Sequence, residues 1–94
     1  MTVTMPSDVQ EQAERVREVV NKHALPTGVR SFDVDYGEDA SGELAMWIRF
    51  WIDGEPSPPK DRISALNRLR RDVQSDLLSM QLRYWPYIEF RAAK

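Results

Sequence analysis

Apolar residues recur along this chain with two different periods, and the switches between them divide it into five elements. Val9, Ala13, Val16 and Val20 are spaced four, three and four apart, the repeat of one face of an α-helix. Ser7 precedes the run as a candidate N-cap, with Gln10 placed to complete a capping box, and Pro26 and Gly28 stop it. From Val29 the period becomes two. Phe32, Val34 and Tyr36 alternate with Ser31, Asp33 and Asp35, which predicts a strand with one buried and one wet face. The turn formers Gly37 to Gly42 lead into a second alternating run, Glu43 to Asp53. It carries Leu44, Met46, Ile48, Phe50 and Ile52 on one side and Ala45, Trp47, Arg49 and Trp51 on the other, so both of its sides are substantially apolar.

Pro56, Pro58 and Pro59 cannot extend that strand, because proline lacks the N–H a ladder needs, but proline suits a first helical turn. Ile63, Leu66, Leu69, Val73, Leu77 and Met80 then mark a long second helix. Alternation returns after Met80. Leu82, Tyr84, Ile88 and Phe90 oppose Arg83, Trp85, Tyr87, Glu89 and Arg91, with Pro86 favouring an edge strand or a bulge. The predicted order is α-β-β-α-β: an α+β fold, a two-layer sandwich whose two helices cover the even-numbered side of a three-stranded sheet. The second and third strands, joined through a helix, are expected to run parallel, and periodicity leaves open whether the first strand lies between them.

At 94 residues the chain is expected to form one domain over 1–94, with 1–6 as a flexible N-terminal lead. It contains no cysteine, which excludes disulfides and thiolate chemistry and suits a reducing compartment, so a cytoplasmic location is expected. No secretory leader is visible and no apolar run approaches the roughly 20 residues of a membrane span. The formal net charge is -2, giving no global pull on nucleic acid.

Candidate chemistry is sparse. His23, the single histidine, falls near a helix end with no nucleophile or base at a useful spacing. In the acidic run from Asp33 to Asp39, an EF-hand reading fails, because Gly37 is fifth where a sixth-position glycine is needed and Leu44 is twelfth where a carboxylate is needed. A carboxylate site among Asp33, Asp35 and Asp53 has no spacing argument behind it. The glycines are isolated, so no phosphate cradle is indicated. The expectation is a non-enzyme with no metal, cofactor or small-molecule substrate.

The odd-numbered side of the sheet is where function is expected. With both helices on the even side, Trp47, Trp51, Trp85 and Tyr87 stand on a face that no element of the chain is left to cover, beside Arg49 and Arg83. Trp, Tyr and Arg are the residues enriched in binding hot spots. The alternative is that Trp51 or Trp85, near a sheet end, wraps back onto the core. A protein partner or a second copy fits this face better than single-stranded RNA, because Asp33, Asp35, Glu43, Asp53 and Glu89 oppose a phosphate backbone. Arg62, Arg68, Arg70 and Arg71 on the second helix form the alternative, a nucleic-acid contact, although Asp61, Asp72 and Asp76 are interleaved with them.

Two resemblances bear on this choice. The element order and the ending Leu82-Arg83-Tyr84-Trp85-Pro86-Tyr87-Ile88-Glu89-Phe90 resemble ribosome-binding factor A, whose KH-like fold closes with a Leu-x-Tyr-x-Pro-x-x-x-Phe strand. That likeness implies an RNA- or ribosome-associated factor; the family has a basic RNA-facing surface and a small-x-Gly kink where this chain has Leu69-Arg70-Arg71. The acidic hairpin, long helix and Trp85-Pro86-Tyr87-Ile88-Glu89-Phe90 strand are also similar to small bacterial proteins encoded beside toxin- or defence-type effectors, including HEPN-type ribonucleases. This second likeness agrees with the charge and implies an accessory or neutralising subunit that binds a protein.

Overall fold

The computed structural model describes residues 7–54 and 59–93. Its elements are α1 (Ser7–Asn21), β1 (Val29–Glu38), β2 (Leu44–Asp53), α2 (Lys60–Ser79) and β3 (Trp85–Ala93), the α-β-β-α-β order of an α+β fold. The predicted lead 1–6, the side chain of Ser7 in the capping box, and Pro56 and Pro58 lie outside the described residues. Pro59 is the N-cap of α2, in extended conformation, and its carbonyl accepts the amides of Arg62 and Ile63.

The even-numbered side of the sheet carries the core, as periodicity predicts. Val9, Val16 and Val20 of α1 and Val73 and Leu77 of α2 are fully buried against Met46, Ile48 and Phe50 of β2. Phe50 sits between Phe32 and Phe90, with ring centroids 6.0 and 5.6 Å away, so one side chain ties all three strands together. Burying a side chain of this size contributes roughly 1.5–3 kcal/mol, which makes the even side of β2 the main thermodynamic reason for the sheet. Ile63 departs from the expected stripe: it lies in the first turn of α2, beyond the sheet's cover, and is 44% exposed.

The strand order is β1-β2-β3, with β1 antiparallel and β3 parallel to β2. The central position of β2 explains its apolar composition on both sides. The hairpin between β1 and β2 closes through Asp39, whose amide donates to the Glu43 carbonyl at 2.8 Å and whose carbonyl accepts the Gly42 amide at 3.0 Å. Gly42 has φ +84, a conformation that side-chain-bearing residues adopt at a cost. At the other end of the sheet Gly28 has φ +96, and the Arg62 side chain lies over it, 3.2 Å from where a Cβ would stand.

One element is shorter than its alternation suggests. The third strand starts at Trp85, because the segment after α2 first closes the helix, with Gln81 at φ 55, and then bends. Leu82 and Tyr84 still pack on the core, but Arg83 precedes the sheet.

Candidate functional site

Among the described residues, no helix covers the odd-numbered side of the sheet. Its side chains form rows set by the strand registers. Gly37, Ala45 and Trp85 make the first row, and Asp35, Trp47 and Tyr87 the second. Asp33, Arg49 and Glu89 make the third, and Ser31, Trp51 and Arg91 the fourth. Trp47, Trp51, Trp85 and Tyr87 therefore share one face, as expected. Trp85 is 52% exposed, and Trp51 turns its indole to Asp33 on the same face, so neither ring wraps back onto the core.

The aromatic end is organised rather than loose. Trp47 and Tyr87 stack with centroids 4.6 Å apart and planes 20° from parallel. The Tyr87 hydroxyl donates to Asp39 Oδ2 at 3.0 Å, while Asp39 Oδ1 accepts the Ser41 amide, the Ser41 hydroxyl and the Glu43 amide. One carboxylate thus ties the hairpin turn to β3. Ala45 lies in the first row yet is fully buried, which leaves the neighbouring rings to cover it. The hydrogen bonds from Ser41 and then Tyr87 hold the Asp39 carboxyl below the usual carboxylate range, and the same Asp39 bond raises the Tyr87 hydroxyl above its ordinary value.

Beside the rings runs a charged band. Arg49 donates to Glu89 at 2.7 Å and to Asp35 at 3.1 Å, with Asp33 at 3.7 Å; Arg91 donates to Glu89 at 3.2 Å, and the Trp51 indole N–H donates to Asp33 at 2.7 Å. The Arg49 side chain is 25% exposed, and Glu89, before Asp35, holds its guanidinium more firmly protonated than usual. The face is therefore amphipathic and largely pre-ordered: Trp47, Tyr87 and Trp51 are fixed by stacking or hydrogen bonds before anything binds, which lowers the ordering cost of association.

Arg83 is the correction among the expected face residues. It donates to Asp8 Oδ2 at 3.0 Å, and its amide donates to Gln12, both on α1, so it serves the helix-covered side. The cause is the late start of β3 together with the carboxylate in the first turn of α1. That carboxylate also accepts the Tyr84 hydroxyl at 2.9 Å and is lowered in pKa, by this bond first and by Arg83 after it.

The four arginines of the alternative reading do not converge. Arg62 is occupied at Gly28, and Arg68 borders a depression with His23 and Asp72. Arg70 and Arg71 line an open groove on α2 with Asn67 and Gln74. A helix turns by about 100° per residue, which spreads these positions over different sides. His23, two residues past the end of α1, reaches α2 through Nε2, 2.6 Å from Asp76.

Asp33, Asp35, Asp39, Glu89 and Arg91 belong to the site, although the sequence placed them in the charge balance, in the turn, or in calcium and carboxylate readings that lacked the spacing. The hairpin held the missing signal. Pairing Gly37 with Ala45 around the Asp39 turn places Asp35 opposite Trp47 and Asp33 opposite Arg49.

No family model matches this chain, and no curated protein matches it. A chain of similar fold occurs in a solved structure from work on the mode of action of a candidate zinc transporter, CzrB. The two are 14% identical with a TM-score of 0.50, and the match covers 98% of this chain and 100% of that one. The likeness is one of fold. Among the described residues no three His, Cys, Asp or Glu side chains are grouped to hold a metal ion, and no helix is long and apolar enough to cross a membrane.

Proposed function

We propose that this domain is a non-enzymatic protein-interaction module that binds through the helix-free side of its sheet. The observation that carries the reading is the alignment of Trp47, Trp51, Trp85 and Tyr87 on a face that no helix among the described residues covers, with Trp85 half exposed and Arg49 at the centre. Rigid aromatic side chains around a partly buried arginine supply large contact area at low entropic cost. The acidic flank formed by Asp33 and Asp35 favours a protein partner over a phosphate backbone. In keeping with the similarity to small bacterial accessory proteins of toxin- or defence-type operons, the module acts in the cytoplasm as an accessory or neutralising subunit of an assembly.

The test is recovery of the partner from the native host, identification by mass spectrometry, and reconstitution with purified chains. Wild type should form a stable complex by light scattering. The double variant Trp47→Ser/Trp51→Ser should lose that complex and keep its helical and strand content by circular dichroism. A complex of unchanged mass would overturn the reading.

A further inference from the structure

The face has a charge pattern that constrains what can sit on it. Asp33, Asp35, Asp53 and Glu89 stand on it and Asp39 at its hairpin end, against the guanidiniums of Arg49 and Arg91, with Asp53 held by Arg30 at the far end of the sheet. Arg49 is already held by three of the carboxylates. Two of the carboxylates are neighbours on one edge strand, while Glu89 lies on the other. Asp33 and Asp35 line β1, their side chains 48% and 53% exposed, whereas the rings occupy β2 and β3. An acidic strip thus runs beside an aromatic ridge, one strand spacing of about 4.8 Å away.

A second copy of the chain fits this pattern poorly. Stacked sheets keep their strands within about 30° of each other. A two-fold axis along the strands then lays β1 of one copy over β3 of the other and sets Asp33 against Glu89. An axis across the strands lays β1 on β1 and sets the carboxylates of one copy over those of the other. The size of the face is also modest: three strands of nine or ten residues give a plan area on the order of 450 Å². A helix is about 10 Å across, so a face of this plan area takes a single helix or short segment laid along the strands.

From this we infer, building on the reading above, that the occupant is a different protein. It presents one apolar ridge flanked by lysine or arginine, with the basic residues over Asp33 and Asp35 and the apolar ones over Trp47, Tyr87 and Trp85. Cations at the strip meet the carboxylates and can rest against the indoles, whose faces attract positive charge. Anionic partners meet the same strip as repulsion.

The probes are two alanine-rich helical peptides of equal length, one bearing leucine and arginine on one face and the other leucine and glutamate, titrated into the full isotope-labelled chain. The arginine peptide should shift the indole N–H signals of Trp47, Trp51 and Trp85 and weaken at least tenfold as salt rises from about 50 to 500 mM. The glutamate peptide should leave them in place. Asp33→Asn/Asp35→Asn, which keeps side-chain size and an acceptor for the Trp51 indole, should slow association of the native partner about three- to tenfold and flatten its salt dependence. Equal shifts with both peptides, or wild-type rates in the Asn variant, would overturn the basic-partner inference. The aromatic reading would still stand if Trp47→Ser/Trp51→Ser loses the native complex, and would fall if that variant keeps it.

Discussion

The central strand β2 shows two environments in consecutive residues. Met46, Ile48 and Phe50 are fully buried beneath the helices, and each holds the fold by contact with apolar neighbours. Trp47, Arg49 and Trp51, one residue out of step, are only partly buried. Each of these has a directional partner: the Tyr87 ring for Trp47, Glu89 for Arg49 and Asp33 for Trp51. Non-directional burial stabilises whatever it covers, whereas stacking and hydrogen bonds fix orientation and add little net free energy. The same ten residues therefore fold the domain on one side and display a pre-ordered surface on the other.

The comparison breaks most visibly at Phe50. Phe50→Ala opens a cavity where three strands meet and should destabilise by about 3–5 kcal/mol in denaturant titrations. A loss below ~1 kcal/mol would mean that the even side does not carry the fold. Arg49→Gln leaves Asp33, Asp35 and Glu89 close together without their cation. The expected loss is about 1–2 kcal/mol, partly recovered at ~0.5 M salt as the repulsion is screened. If salt recovers nothing, the arginine acts by packing rather than charge. Trp47→Ala removes one stack and should cost about 1 kcal/mol in stability, while complex formation is lost. A large stability loss there would move Trp47 to the folding side of the comparison.

Tyr87→Phe should have the smallest effect, visible in the pH dependence. Asp39 has a folded pKa below its ordinary 3.8, so its contribution is present above that value and is lost as pH falls through the depressed one. Tyr87 has a folded pKa above its ordinary 10.0, so its contribution is full below 10.0 and is lost as pH rises through the raised one. Removing the hydroxyl should move the acid unfolding midpoint to higher pH and abolish the alkaline loss due to Tyr87. The Ser41 bond remains, so the acid shift should be partial, and an unmoved midpoint would separate Tyr87 from Asp39.

Periodicity made the five elements and the helix-covered side legible, because burial is read residue by residue from a local repeat. The stripe Val9, Ala13, Val16, Val20 and the middle even residues of β2, Met46, Ile48 and Phe50, became the core as expected, whereas Leu44 at the hairpin end stays 42% exposed and Ile52 only partly buried. The strand order did not follow from period alone, although the apolar character of both sides of β2 was a sign of its central place. Arg83 was misplaced because local alternation cannot show where pairing begins. The bend after Gln81 delays β3, and the Asp8 carboxylate draws the arginine to α1. Tyr87 and Asp39 are 48 positions apart, and their bond depends on how β3 docks beside β2, which no local pattern encodes.

The most direct test is to map the partner's footprint on the folded domain by chemical-shift perturbation of backbone amides and tryptophan indoles. The account predicts that perturbations gather at Trp47, Trp51, Trp85 and Tyr87 and along Asp33 and Asp35, while the outer side of α2 is unchanged. Perturbations centred on Arg70 and Arg71, with the three indole signals unmoved, would contradict it.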